Sequence, residues 1–214
     1  MNDINKLFDL LDDWRNLPAY QLERRADIFF ALYLDKIMGK LKNVSIDLII
    51  PEFPLRLGEL PEQNHNSNLS FKIDYLIYSK SQNKVYLIEL KTDLRSRKGK
   101  QDIYLKDAEK IKLKAIIEGV LKIYNATNQK VKYDYLLDKL EGIGWIKRNE
   151  NSIQNLVKDI ELSIIYIQPL NENKDASVIS FDDIISVISG SNDELTNRFI
   201  DSLKKWKTDT NKKK

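Results

Sequence analysis

SFKIDYLIYS (70–79) and KVYLIELKT (84–92), separated by Ser81-Gln82-Asn83, decide how this chain is read. Both runs are rich in β-branched and aromatic residues, and a polar turn joins them, which is the pattern of a β-hairpin. Phe71, Ile73, Tyr75 and Ile77 share one face of the first run, and Lys72, Asp74, Leu76 and Tyr78 share the other. In the second run Val85, Leu87, Glu89 and Lys91 alternate with Tyr86, Ile88 and Leu90. Apolar residues dominate both faces, so both strands read as buried on two sides. Asp74, Glu89 and Lys91 interrupt that pattern. Burying an ionised group costs several kcal/mol unless a partner or a metal compensates, and a strand that only packs would carry Leu or Val at position 89. A register with Tyr78 opposite Val85 sets Asp74 directly opposite Glu89, with Cβ atoms about 5 Å apart. Two carboxylates at that spacing repel unless a cation lies between them. Lys91 follows on the face of Glu89, and oxygen donors of this kind suit a hard ion such as Mg²⁺.

Outward from the hairpin, 214 residues with 42% apolar and 31% charged composition suit one domain with a substantial core. The chain has no cysteine, one histidine (His65) and seven glycines. Disulfide scaffolds, cysteine zinc sites, iron–sulfur clusters, thiol nucleophiles and multi-histidine metal centres are excluded. Neither a Walker loop nor a dinucleotide-binding glycine fingerprint can be written. The N-terminal MNDINKLFDLLDDW lacks an export pattern, and no apolar run reaches the roughly 20 residues of a membrane span. The expectation is a soluble cytoplasmic protein with no membrane partner. Charge is uneven despite a net +3: residues 91–114 hold nine Lys/Arg against four Asp/Glu, and residues 204–214 hold six Lys against one Asp. Two basic patches therefore ride on a mildly acidic body.

Helical periodicity predicts helices over 3–14, Pro18–Met38 with Gly39 as the stop, Gln101–Tyr124, 133–141, a stretch near 152–160, and 192–206 capped by Ser191 or Asn192. Strands are expected at 44–57, in the hairpin, at 162–170, and as an edge at SVISF (177–181). Trp14, Trp145 and Trp206 read as packing residues. The fold class is mixed α/β (α+β), with a mixed central sheet that contains an antiparallel hairpin, flanking helices and a C-terminal helix.

Asp74 followed by Glu89-Leu90-Lys91 after a short hairpin resembles the active-site motif of the PD-(D/E)xK nuclease superfamily. Ile73 stands where the family name has proline. The resemblance covers about residues 18–124 and the strand at 162–170. It implies a restriction-endonuclease-like core at about 18–124 and 162–181, a helical insertion at about 130–160, a single domain over 1–206, and a basic tail at 207–214. By that resemblance Asp74, Glu89 and the Leu90 carbonyl hold Mg²⁺ or Mn²⁺, and Lys91 orients the attacking water or stabilises the phosphate. Glu23 supplies an acidic residue from the preceding helix, with Asp27 second and Glu52 and Glu59 behind. Gln101 and Tyr104 match the exonuclease branch, although Leu105 stands in its Tyr position. Arg95, Arg97, Lys98, Lys100 and Tyr104 would meet nucleic acid, DNA first and RNA as the alternative. A homodimer through the 192–206 helix fits the habit of such nucleases. Two rival readings are a catalytically silent module of the same fold that binds nucleic acid or protein, and a hairpin whose charges only pair with one another.

Overall fold

The buried hairpin forms as its composition requires. In a computed structural model describing residues 2–61, 63, 66–93 and 99–209 (side chains of 100, 101 and 209 apart), β2 spans Ser70–Ser79 and β3 spans Lys84–Leu90. Before them come α1 (Asp3–Trp14), α2 (Leu22–Lys42) and β1 (Leu48–Arg56). After them come α3 (Gly99–Ala126), α4 (Lys130–Gly142), β4 (Ile146–Asn149), β5 (Ser152–Asn155), β6 (Glu161–Gln168), β7 (Val178–Ser180), α5 (Phe181–Ile188) and α6 (Glu194–Asp209). The main sheet has the order β1-β2-β3-β6-β7, and β4-β5 forms a separate pair. The β1–β2 pairing is antiparallel and β6–β7 is parallel, so the sheet is mixed and the α/β expectation holds. No helix among the described residues is long and apolar enough to cross a membrane.

The chain divides into two compact units. One comprises residues 1–46, 88–98 and 165–214, and the other comprises 47–87 and 99–164. The first unit is built on aromatic packing among helices. Phe199 of α6 meets Phe30 of α2 edge-on at 5.2 Å and stacks on Tyr33 at 5.6 Å. Trp206 is fully buried, and its indole N–H donates to Asp12 of α1 at 2.9 Å. The apolar face of α6 is thus taken up by packing within this unit. Trp14 does not join the core: it is 42% exposed and touches Tyr20 by its edge.

In the second unit, Trp145 packs edge-on to Tyr78 at 4.9 Å. Arg56, buried at the end of β1, donates to Glu59 at 2.8 Å and to Asn68 at 3.0 Å. The β1–β2 ladder pairs Leu48 with Tyr78 through to Arg56 with Ser70, but passes over one step. At that step Glu52, with φ 49°, stands opposite Asp74. A left-handed backbone turns its peptide groups out of the ladder.

Several boundaries depart from expectation. Helix α2 begins after Pro18 and runs through Gly39 to Lys42, because Asn43 (φ 54°, ψ 42°) supplies the left-handed stop instead. Helix α3 breaks at Lys112 (φ 63°, ψ 163°). The stretch near 152–160 is no helix: Ile146, Arg148 and Ile153 alternate with exposed neighbours, and the β4–β5 hairpin forms around Glu150-Asn151. Residues 181–188 form α5, whose Ser180/Asp183 capping box satisfies its first turn. Helix α6 is capped by Asp193, which accepts from the Thr196 amide at 2.8 Å and from its hydroxyl, rather than by Ser191 or Asn192.

Two outcomes follow from this packing. Alanine is ordinarily the better helix former by about 1 kcal/mol, yet a Cβ at Gly119 would lie 2.9 Å from Glu59 Cγ and 3.0 Å from Arg56 Cβ. Gly119→Ala should therefore lower the urea midpoint rather than raise it. The Thr196 hydroxyl, then its amide, hold the Asp193 carboxyl below the usual aspartate range. Its contribution is present above the unfolded pKa of about 3.9 and is lost as pH falls through the depressed value. Thermal melts of Asp193→Asn should show a lower Tm than wild type at pH 7 and a smaller gap at the acid end.

Candidate functional site

Leaving the sheet, β3 carries its polar exceptions at its end. Glu89 is 2% exposed and Lys91 is 6% exposed. Lys91 Nζ donates to Glu89 Oε1 at 2.6 Å, a short charge-assisted contact. Residues two apart on a strand point to the same side, so the pair is formed by the extended backbone itself. The Lys91 amide donates to the Ile167 carbonyl at 2.7 Å, which carries strand-like bonding to β6 one residue past β3. Leu90 between them is buried and belongs to the opposite face.

The acidic residue expected from the preceding helix arrives at this place. Glu23 lies in the first turn of α2, and its Oε1 accepts from the Thr92 amide at 3.2 Å. Leu22 and Ala26 on either side of it are buried, and they anchor that turn. Glu23, Glu89, Leu90, Lys91 and Thr92 thus meet within the first unit. Asp27 stays a half-buried residue one turn on, and its Oδ1 accepts from the Ile28 amide.

Asp74 lies in β2 of the second unit, half-buried, opposite Glu52. Glu59 is taken up by Arg56 and Lys122, each at 2.8 Å. Tyr104 packs its ring on Phe71 with centroids 6.0 Å apart, and Leu105 is fully buried. Tyr104 therefore serves the packing of α3. The backbone of Lys100 and Gln101 lies in the first turn of α3. Arg95, Arg97, Lys98 and His65 lie outside the described residues.

The donors at the end of β3 are oxygens, a carboxylate and a carbonyl, the set a hard divalent cation takes. Among the described residues no three Asp, Glu or His side chains gather as a metal-holding group. A cation here would keep several waters, which is the habit of Mg²⁺. Sequence reasoning missed the Thr92 amide, which ties Glu23 to the strand. A backbone group carries no residue-type signal.

Compared with family models, curated proteins and solved structures, the chain matches none.

The buried pair has a measurable cost of disruption. Lys91→Met leaves the Glu89 carboxylate buried without its ammonium, and should destabilise the protein by about 3–5 kcal/mol. Glu89→Leu combined with Lys91→Met should recover most of that loss, since an apolar pair of similar volume is often no worse than a buried ion pair. Urea denaturation of both variants measures the difference.

Proposed function

We propose that this protein is a metal-dependent nuclease that hydrolyses phosphodiester bonds, with DNA as the first substrate and RNA as the alternative. The observation that carries the reading is the Glu89–Lys91 pair, buried at the end of β3 and 2.6 Å apart. It supports the resemblance drawn from Asp74 and Glu89-Leu90-Lys91. In that reading Asp74, Glu89 and the Leu90 carbonyl would hold Mg²⁺ or Mn²⁺. When bound, the ion supplies charge neutralisation at the phosphate and a more acidic water. Lys91 Nζ, held by Glu89, offers its remaining N–H groups to a phosphate oxygen or to the attacking water. The water oxygen bonds to phosphorus, the P–O bond to the leaving sugar oxygen breaks, and that oxygen takes a proton. Glu23 acts through the Thr92 amide and fixes the path of the chain just beyond Lys91. It is a positioning residue.

The same 2.6 Å contact also favours a second reading, a structural ion pair in a nuclease-like or other interaction module. Cleavage separates the two. Labelled plasmid and linear DNA should be cut with Mg²⁺ or Mn²⁺ and not with EDTA. Glu89→Gln and Lys91→Ala, each verified as folded, should lose on the order of a hundredfold or more of the rate. Uncut DNA and RNA in every metal, together with no calorimetric heat of metal binding, would leave the structural pair as the correct account.

A further inference from the structure

Another concave surface lies wholly within the second unit. A groove of about 570 Å³ runs between β1–β2 and α4, within the roughly 300–1,000 Å³ range of sites that enclose a small ligand. Ile50, Glu52 and Pro54 of β1 line it, together with Lys72 of β2. Ile50 pairs with Leu76 and Pro54 with Lys72, the residues two positions to either side of Asp74, so the groove follows the sheet face that carries Asp74.

The opposite wall is α4, which brings Lys132, Tyr133, Tyr135 and Lys139. Among the described residues that line the groove, three lysines thus face one carboxylate, that of Glu52. Among the described residues no carboxylate pairs with Lys132 or Lys139. Tyr135 is 71% exposed, an aromatic ring left open to water beside those ammonium groups. The wall is firmly held from behind. Leu137 and Leu140 are buried, Asp134 accepts from the Tyr124 hydroxyl at 3.0 Å, and Arg148 donates to Glu141 at 2.7 Å.

Lysines meet phosphates, and an open tyrosine ring meets the face of a base. A duplex offers phosphates but hides its base faces in the stack, so only an unpaired strand uses both. We infer that this groove binds single-stranded nucleic acid, with bases against Tyr135 and Tyr133 and phosphates along Lys72, Lys132 and Lys139. The groove leads the strand to Asp74. This deepens the nuclease reading and rests on it for the fate of the strand, though not for its binding.

The test measures binding apart from cutting. Fluorescence anisotropy of a labelled single-stranded oligonucleotide is followed in EDTA, beside a duplex of equal length. Wild type should prefer the single strand. Tyr135→Ala should weaken it at least about fivefold, and Tyr135→Phe should retain it, because stacking needs the ring and not the hydroxyl. Lys132→Ala with Lys139→Ala should lower the slope of log affinity against log salt by about 0.7 per lysine. Equal binding of duplex, or unchanged binding in these exposed-residue variants, would overturn the proposal. So would displacement of the strand by poly-glutamate together with indifference to Tyr135→Ala, an outcome that points to an acidic protein partner. Single-strand binding without any metal-dependent cutting would uphold the groove and remove the nuclease reading. Duplex cutting without single-strand binding would do the reverse.

Discussion

A carboxylate and an ammonium held 2.6 Å apart at 2% and 6% exposure constrain the end of β3. Each charge offsets part of the cost of burying the other. Their pairing needs residues 89 and 91 on one side of an extended chain, so the strand geometry must persist past Leu90. The Lys91 amide bond to Ile167 provides that continuity. The start of α2 is bound by the same requirement, since the Glu23 carboxylate satisfies the next free amide, that of Thr92. A buried backbone donor without an acceptor would cost about 1–3 kcal/mol. The pair thus sets the conformation of residues 89–92, and α2 is positioned to match it.

This is also why the site was partly legible in the sequence. Strands apolar on both faces admit no ordinary reason for Glu at 89 or Lys at 91, so the exceptions stand out against the pattern. Glu23 was legible as a residue, because it lies in the turn that Leu22 and Ala26 anchor by burial. Its hydrogen-bond partner was not. The fold was legible where periodicity is strong, as in α1, the hairpin, α4 and α6. It failed where a few residues carry equal support for two states. Residues 146–155 are short, polar and alternating, and only their pairing with one another decides for strand. Residues 181–188 follow directly on an edge strand, and the Ser180/Asp183 capping box marks the change from one to the other. Gly39 reads as a stop because glycine tolerates left-handed backbone, but it stays helical, and Asn43, which tolerates that backbone as well, ends α2 beyond it.

Charge read along the chain and charge read in space give different surfaces. The basic run 91–114 is conspicuous in sequence, yet part of it is locally neutralised. Lys110 pairs with Asp107 at 2.9 Å, and Lys112 lies 3.6 Å from Asp159. Lys72, Lys132 and Lys139 attract no attention in sequence, because sixty or so residues separate the first from the others. They come together because β2 pairs with β1 and α4 forms the facing wall of the groove. In a patch assembled in this way the fold sets the positions of the lysines and of the tyrosine between them. Contiguous lysines in a chain supply attraction without shape. Lysines brought together by folding supply attraction at set positions, and an open ring among them adds a face that stacked bases in a duplex do not meet.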